Sequence, residues 1–229
     1  MLQIPACAAP MSKDSTGTII AVGSSDASLK TTDIVEKIIS GILESGEVNI
    51  VGVGDGIFLA CSAVNMATEI AKVYLNDLFI GSLEAPAHAK TSAISMLLGQ
   101  KQISDYPRLA EQEEKSMQDI EEQTISVSRA STMERLLTIS LLRLAKFDEI
   151  RIVASGGSIN DAVSLALRLS EGQISKDQLG TKLVHLYSIK MRNDPLKSIA
   201  AASIFLQKGL SAIYSKRQRD LLKKLEGGH

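Results

Sequence analysis

Apolar and polar residues follow two periods along this chain, and the same succession of periods occurs twice. Thr18–Val22 (TIIAV) is a β-branched run, and Thr124–Ser128 (TISVS) is its counterpart; both predict strands. Each leads through a polar turn into a helical stripe. In the first copy Ile34, Val35, Ile38, Ile39, Ile42 and Leu43 recur on a 3.6-residue period, and Gly46 follows as a stop signal. In the second copy Met133, Leu136, Leu137, Leu141 and Leu144 take that role, with Ser131 and Glu134 at capping-box spacing.

The next pair of strands is Val48–Val53 and Ile150–Ala154. Both run into glycines: Gly52, Gly54 and Gly56 in copy one, Gly156 and Gly157 in copy two. A second helix follows, from about Ile57 to Tyr74 in copy one and along Ile159, Ala162, Val163, Ala166 and Leu169 in copy two. Two further strands close each copy: Leu78–Leu83 with Ala93–Leu98, and Leu183–Ile189 with Ile199–Leu206. Lys90 and Gln100-Lys101 recur as Lys197 and Gln207-Lys208, an offset of 107. The order β-α-β-α-β-β, read twice, predicts an α/β fold of two-layer α+β type in two tandem units. The expected organisation is an N-terminal extension (1–17), domain 1 (18–101), a linker (102–123), domain 2 (124–208) and a tail (209–229). Met11 is an alternative start, which would make the first ten residues an upstream extension.

Charge changes this picture, because the two copies are unequal. The chain carries a net −1. By segment, 18–101 carries −4, 102–123 carries −5, 124–208 carries +5 and 209–229 carries +3. An acidic first half and a basic second half point to a polyanion partner for the second. The basic residues concentrate in two places. Lys190, Arg192 and Lys197 surround Asn193-Asp194-Pro195, a turn signal that predicts a basic hairpin loop in copy two. Lys216, Arg217, Arg219, Lys223 and Lys224 follow in a tail expected to be helical. Lysine and arginine on a projecting hairpin neutralise phosphates and release counterions. The plain alternative for both is a solvated surface.

Other chemistries find little support. The longest apolar runs, such as Ile57–Ala63, fall far short of the roughly 20 residues a bilayer needs. Cys7 and Cys61 cannot make a disulfide framework and read as small buried apolar residues in a reducing cytosol, so a cytoplasmic location is expected. No His/Cys/Asp/Glu cluster has metal-ligand spacing, and no cofactor is expected. With aromatics at 3% and no Trp, stacking platforms for single strands are disfavoured. Gly52-Val53-Gly54-Asp55-Gly56 follows a strand and opens a helix, but Asp55 would repel a phosphate there, so a tight turn is the expected reading. There is no Ser/His/Asp grouping, and His88 and His185 fall in non-corresponding places as structural histidines; an enzyme is not expected.

Glu149 to Val163 (EIRIVASGGSINDAV) resembles the signature of the Alba family, small nucleic-acid-binding proteins of archaea and eukaryotes. In that family a strand ends in a basic glycine turn and enters the second helix. Gly54, Ile57 and Ala60 fall on the family's Gly, Ile and Ala in copy one. The resemblance covers nearly the whole chain apart from the ends and the linker. It implies a dimeric fold that binds DNA and RNA as an archaeal-type or chromatin protein. In members the second helices and a basic turn after the first strand meet the duplex, and the last hairpin reaches the minor groove. Two fused copies would then form an intramolecular pseudo-dimer. Carried over by position, the family's lysine pair after the first strand falls on Ser24 and Ser25, and on Arg129 and Ala130. Its glycine-turn cations become Asp55 in copy one and Ser155 and Gly157 in copy two, and its helix lysine becomes Leu59 and Asp161. Arg129, Lys190, Arg192, Lys197, Lys216, Arg217 and Arg219 are therefore the candidate phosphate contacts, on DNA or structured RNA. The alternative is an assembly module of the same fold that has lost nucleic-acid binding, with domain 1 and the linker docking a basic protein or a further copy of the chain.

Overall fold

The computed structural model describes residues 18–23, 30–84, 90–102, 121–171, 179–191 and 194–210. These residues fall into two compact units, 18–102 and 121–210. Unit 1 consists of β1 (Thr18–Val22), α1 (Thr31–Ser45), β2 (Glu47–Val53), α2 (Gly56–Ala71), β3 (Tyr74–Glu84) and β4 (Lys90–Gly99). Unit 2 consists of β5 (Thr124–Val127), α3 (Met133–Leu144), β6 (Glu149–Ser155), α4 (Ser158–Glu171), β7 (Leu179–Met191) and β8 (Asp194–Lys208). Each unit therefore has the expected β-α-β-α-β-β order. The sheets run β1-β2-β4-β3 and β5-β6-β8-β7. The first two strands of each are parallel and the remaining pairs antiparallel. A parallel pair requires a crossover, and α1 and α3 supply it.

The helices form one layer and the sheet the other. In unit 1 Val48, Ile50 and Gly52 alternate along β2 toward the helices. A β-carbon on Gly41 would lie 2.7 Å from Val48 Cγ2, and one on Gly52 would lie 2.9 Å from Ala60 Cβ. Ile34, Ile38, Ile50 and Ile57 are fully buried here, as are Ile150, Ile152, Ile159 and Leu169 in unit 2. Each such side chain stabilises by roughly 1.5–3 kcal/mol relative to exposure.

The stripes predicted for the first helices are narrower than their sequences imply. In α1, Ile34, Val35, Ile38 and Ile42 are buried, whereas Leu43 is 73% exposed. Gly46 stops this helix as expected, at φ 81°, its N–H donating to Ile42 O at 2.8 Å. The cap of α3 differs from the expected one. Thr132, not Ser131, is the N-cap, and its Oγ1 accepts the Arg135 N–H at 3.4 Å. Ser131 instead closes the preceding turn, donating its N–H to Ser128 O at 2.9 Å. The helix α2 ends at Ala71 rather than near Tyr74, because Lys72 adopts a left-handed φ of 50°.

Ladder register corrects the repeat offset. Glu47 faces Gly99 across β2 and β4, and Glu149 faces Gln207 across β6 and β8. The last strands thus correspond at an offset of 108, one more than the Lys and Gln markers imply. Those markers lie at strand ends, where no buried side chain fixes position. Within the ladder a one-residue slip would turn every side chain to the wrong face. Both units carry the same irregularity in their third strand, between Leu75 and Asp77 and between Thr181 and Leu183. Their equivalence therefore extends to a β-bulge.

One test of this packing uses the turn into α2. A β-carbon at Gly56 would overlap the Val22 carbonyl, whose carbon lies 2.7 Å away. Gly56→Ala should therefore lower the stability of unit 1 by about 3 kcal/mol. Gly46→Ala, strained only through its φ of 81° with open space around it, should cost about 1–2 kcal/mol. Urea unfolding of both variants checks the order, and equal losses would contradict the close approach.

Candidate nucleic-acid interface

The ends of β5 and β6 in unit 2 carry two short turns side by side. Ser128 to Ser131 form the first: Ser131 donates its N–H to Ser128 O, and Ser128 N–H reaches back to Ser131 Oγ at 3.4 Å. This closure holds Arg129 at the head of the turn. The second turn is Gly156-Gly157, leading into α4. Gly156 has a φ of 58° and donates its N–H to Ala200 O at 2.9 Å. The Ile159 N–H then returns to Gly156 O at 3.1 Å. A β-carbon on Gly157 would stand 3.4 Å from Arg129 Nη2 and 3.8 Å from Nε. The guanidinium therefore lies over the glycine backbone at the N-terminal end of α4. The first N–H groups of a helix lack intrahelical acceptors and favour an anion.

Unit 1 builds the same turn with opposite chemistry. Gly54 has a φ of 54°, donates its N–H to Ser92 O at 2.9 Å, and accepts from Ile57 N–H at 3.2 Å. The position of Gly157 is taken there by Asp55, which is exposed. Ser24 and Ser25, the positions matching Arg129 and Ala130, lie outside the described residues, as does His88.

The hairpin of unit 2 differs from its expected form. The β6–β8 ladder ends where Ser155 faces Ala201. From Asp194 to Ala200, β8 pairs with β7 alone among the described strands, so a two-stranded ribbon continues past the end of the β6 ladder. In unit 1 the ladder ends at Val53 opposite Ala93, and among the described residues of β4 Lys90–Ser92 extend beyond it. Asp194 and Pro195, expected in a turn, lie instead within β8. A proline is tolerated there because the ladder register shifts between Lys190 and Met191. Lys190 and Lys197 thus sit on the ribbon's arms, both exposed. Ile199 joins the ribbon to the glycine turn, its Cδ1 lying 2.8 Å from where a β-carbon on Gly156 would be. Arg129, the turn and the base of the ribbon therefore occupy one end of unit 2.

Not every cation there is equally available. Arg129 and Lys190 make no ion pair among the described residues, while Lys197 Nζ lies 3.1 Å from Asp194 Oδ2. That pair is solvent-exposed and holds Lys197 only weakly. Lys182 pairs with Glu149 at 2.7 Å and Lys208 with Asp148 at 3.5 Å, both away from the ribbon tip. Asp161 is exposed in the first turn of α4, where a carboxylate opposes an anion. Arg192, Lys216, Arg217 and Arg219 lie outside the described residues.

Sequence reasoning missed a polar cluster on the sheet face turned away from the helices. Arg151 Nη2 donates to Ser203 Oγ at 2.9 Å, and its guanidinium lies 5.5 Å from the centre of the Phe205 ring. Ser203 Oγ reaches Tyr187 Oη at 3.4 Å, and Tyr187 stacks on His185 with ring centres 5.3 Å apart. Nδ1 of His185 is buried and has no hydrogen-bond partner among the described residues. The register explains the miss: His185 faces Ser203, and Arg151 faces Phe205, across separations no local pattern marks. Cys61 is buried as expected, its thiol pushed up to about 12 by desolvation. Among the described residues no group of acidic, His and Cys side chains could hold a metal ion, and no helix is long and apolar enough to cross a membrane.

No protein-family model matches the sequence, and no curated protein does. Among solved structures, ALBA1 from Trypanosoma brucei is similar over 47% of this chain and 84% of that one, with 18% identity and a TM-score of 0.33.

Burial, and secondarily the Arg151 charge, lower the pKa of His185 below its ordinary value. The folded state therefore resists its protonation more than the unfolded state does. The associated stability is fully present above the ordinary value of about 6.5 and is lost as pH falls below it. The thermal midpoint of unit 2 should accordingly drop between pH 7.5 and 5 by the usual scanning criteria. His185→Phe, which places there the residue unit 1 carries at Phe79, should flatten that drop. A slope unchanged in the variant would assign it to other groups.

Proposed function

We propose that this chain is an Alba-like nucleic-acid-binding protein that grips phosphates through unit 2. The observation that carries the reading is the placement of Arg129 against the Gly156-Gly157 turn, at the same end of the unit as the projecting ribbon with Lys190 and Lys197. A guanidinium beside a helix N-terminus suits a phosphate oxygen, and two lysines on an extended arm suit the next phosphates along a backbone. Arg192, Lys216, Arg217 and Arg219 are further phosphate contacts in the proposal. The net +8 of residues 124–229 supplies long-range attraction to DNA or structured RNA. Unit 1, with Asp55 at the corresponding turn, serves as a structural partner rather than a second binding unit. The pseudo-dimer, the linker at 102–123 and a cytoplasmic location belong to the same proposal, which assigns no catalytic role and no cofactor.

A salt series with duplex DNA and duplex RNA tests this. Arg129→Ala should reduce the slope of log K against log salt by about 0.9 on DNA, and removing Lys190 and Lys197 together should reduce it by about twice that. No binding at low salt would sink the reading and leave the assembly module. Gly157→Asp gives a sharper check, since it installs the carboxylate of unit 1 beside Arg129. The site has room for a β-carbon, so the fold should hold while affinity falls by about tenfold or more. Gly157→Ala should bind like the parent protein. If both variants bound alike, the Arg129 site would not be a phosphate contact.

A further inference from the structure

A surface cavity of about 230 Å³ opens at the C-terminal end of α3, lined by Glu122, Leu142, Arg143, Lys146 and Phe147. Because α3 returns the chain to the start of β6, the cavity lies at the opposite end of unit 2 from the Gly156-Gly157 turn. The length of β6, which has 7 residues, separates the two by roughly 20 Å. The first helices of the two units end differently there. At the offset of 102 between Gly54 and Gly156, Ser40, Gly41, Glu44 and Ser45 correspond to Leu142, Arg143, Lys146 and Phe147. The helix α1 continues through Ser45, whereas α3 stops at Leu144. Gly41 lies against Thr18 and Val48; Arg143 instead reaches across to donate to the Thr124 carbonyl. The Arg143 carbonyl accepts the N–H groups of Lys146 and Phe147 at 2.9 and 2.8 Å, which fixes the backbone that carries both side chains.

We infer that this cavity takes one unpaired guanine of a single strand. The inference rests on the nucleic-acid reading above for its class of ligand, and it adds base selection, which phosphate contact does not require. Three chemistries line the cavity. Leu142 is 64% exposed and Phe147 is half-buried, so an apolar slot with one aromatic ring meets solvent. Unpaired bases stack on such rings. Lys146 is exposed and makes no ion pair among the described residues, and Arg143 keeps donors beyond the one on Thr124. Both suit the phosphates that flank the base. Glu122 is exposed and likewise makes no ion pair among the described residues, and an ionised carboxylate only accepts hydrogen bonds. Guanine sets two donors, N1–H and the N2 amino group, side by side on its pairing edge. Adenine and cytosine place an acceptor nitrogen beside their amino group, and uracil flanks its N–H with two carbonyls. Each of those would turn lone pairs toward the carboxylate. Size agrees, since the cavity is smaller than the roughly 300–1,000 Å³ of ordinary ligand pockets and suits one planar base. Unit 1, with Glu44 and Ser45 at the corresponding places, offers neither the cation nor the ring.

The test uses the full chain at low salt with short, labelled oligouridine single strands whose central base is G, A, C or U, and with a duplex RNA of equal length. Fluorescence anisotropy should show the guanine strand bound about tenfold tighter than the other three. Glu122→Gln, a surface change that puts a donor where the carboxylate was, should bring the four strands within about twofold of one another. Lys146→Ala should lower the salt slope on the single strands by about 0.7. Duplex affinity should stay at the parent value in both variants, which also shows that they fold. Equal affinity for the four strands overturns the guanine site, as does a guanine preference that survives in Glu122→Gln. If the duplex is bound in either case, phosphate binding stands without the site. A guanine preference that Glu122→Gln removes, in a protein that leaves the duplex unbound, keeps the site and sinks the grip on duplexes. No binding of any strand overturns both.

Discussion

The antiparallel ladder between β6 and β8 is the constraint on which the rest of unit 2 depends. It fixes which side chains face α3 and α4, and it ends at Ser155 opposite Ala201. The next residue, Gly156, turns with a φ of 58° and passes its N–H to Ala200. A left-handed conformation costs a residue with a β-carbon roughly 1–2 kcal/mol, and a β-carbon there would also meet Ile199. Glycine satisfies both demands. As β6 leaves the sheet at this point, β7 and β8 continue without it and become the ribbon. The end of one strand thus sets the site: the helix N-terminus, the turn under Arg129 and the start of the projecting arm.

Unit 1 obeys the same constraint and reaches a different surface. Its ladder ends at Val53 opposite Ala93, Gly54 makes the equivalent turn, and the third-strand bulge recurs. Backbone geometry is therefore shared, while the side chains placed on it are not. Asp55 stands where Gly157 leaves room for a guanidinium. The face turned from the helices has diverged as well. Asn49, Phe79, Ser95 and Leu97 occupy the places of Arg151, His185, Ser203 and Phe205. Asn49 is 5% exposed, whereas Arg151 is half-buried and carries a charge held by a hydroxyl and an aromatic ring. A cation in that setting depends on its hydrogen bonds, and it adds to the burial that lowers the pKa of His185.

The element order was legible in the sequence because strand and helix periods are local properties. Ile34 through Ile42, the run from Ile150 to Ala154, and Gly46 each announce their element within a few residues. What went astray depended on distant partners. The offset of 107 came from Lys and Gln markers at strand ends, while ladder pairing across the sheet gives 108. Ser131 has capping spacing, but the turn that positions Arg129 takes its hydrogen bonds. Asp194-Pro195 carries a turn signal, yet lies in a strand, because Asp194 pairs with Met191 across the ladder.

Sequence alone determined the duplication, the two-layer α/β class and the unequal charge of the two halves, since periodicity and charge count need no partner in space. It also selected Arg129, Lys190 and Lys197 as cations worth placing. Only the tertiary structure decided that Arg129 lies over the Gly157 backbone, that Ile199 joins the ribbon to that turn, and that Lys197 shares its charge with Asp194. It alone joined Arg151, Ser203, Tyr187 and His185 into one cluster. Those relations follow from strand register and from where a ladder stops, and register is set by burial across the sheet rather than by any residue's immediate neighbours.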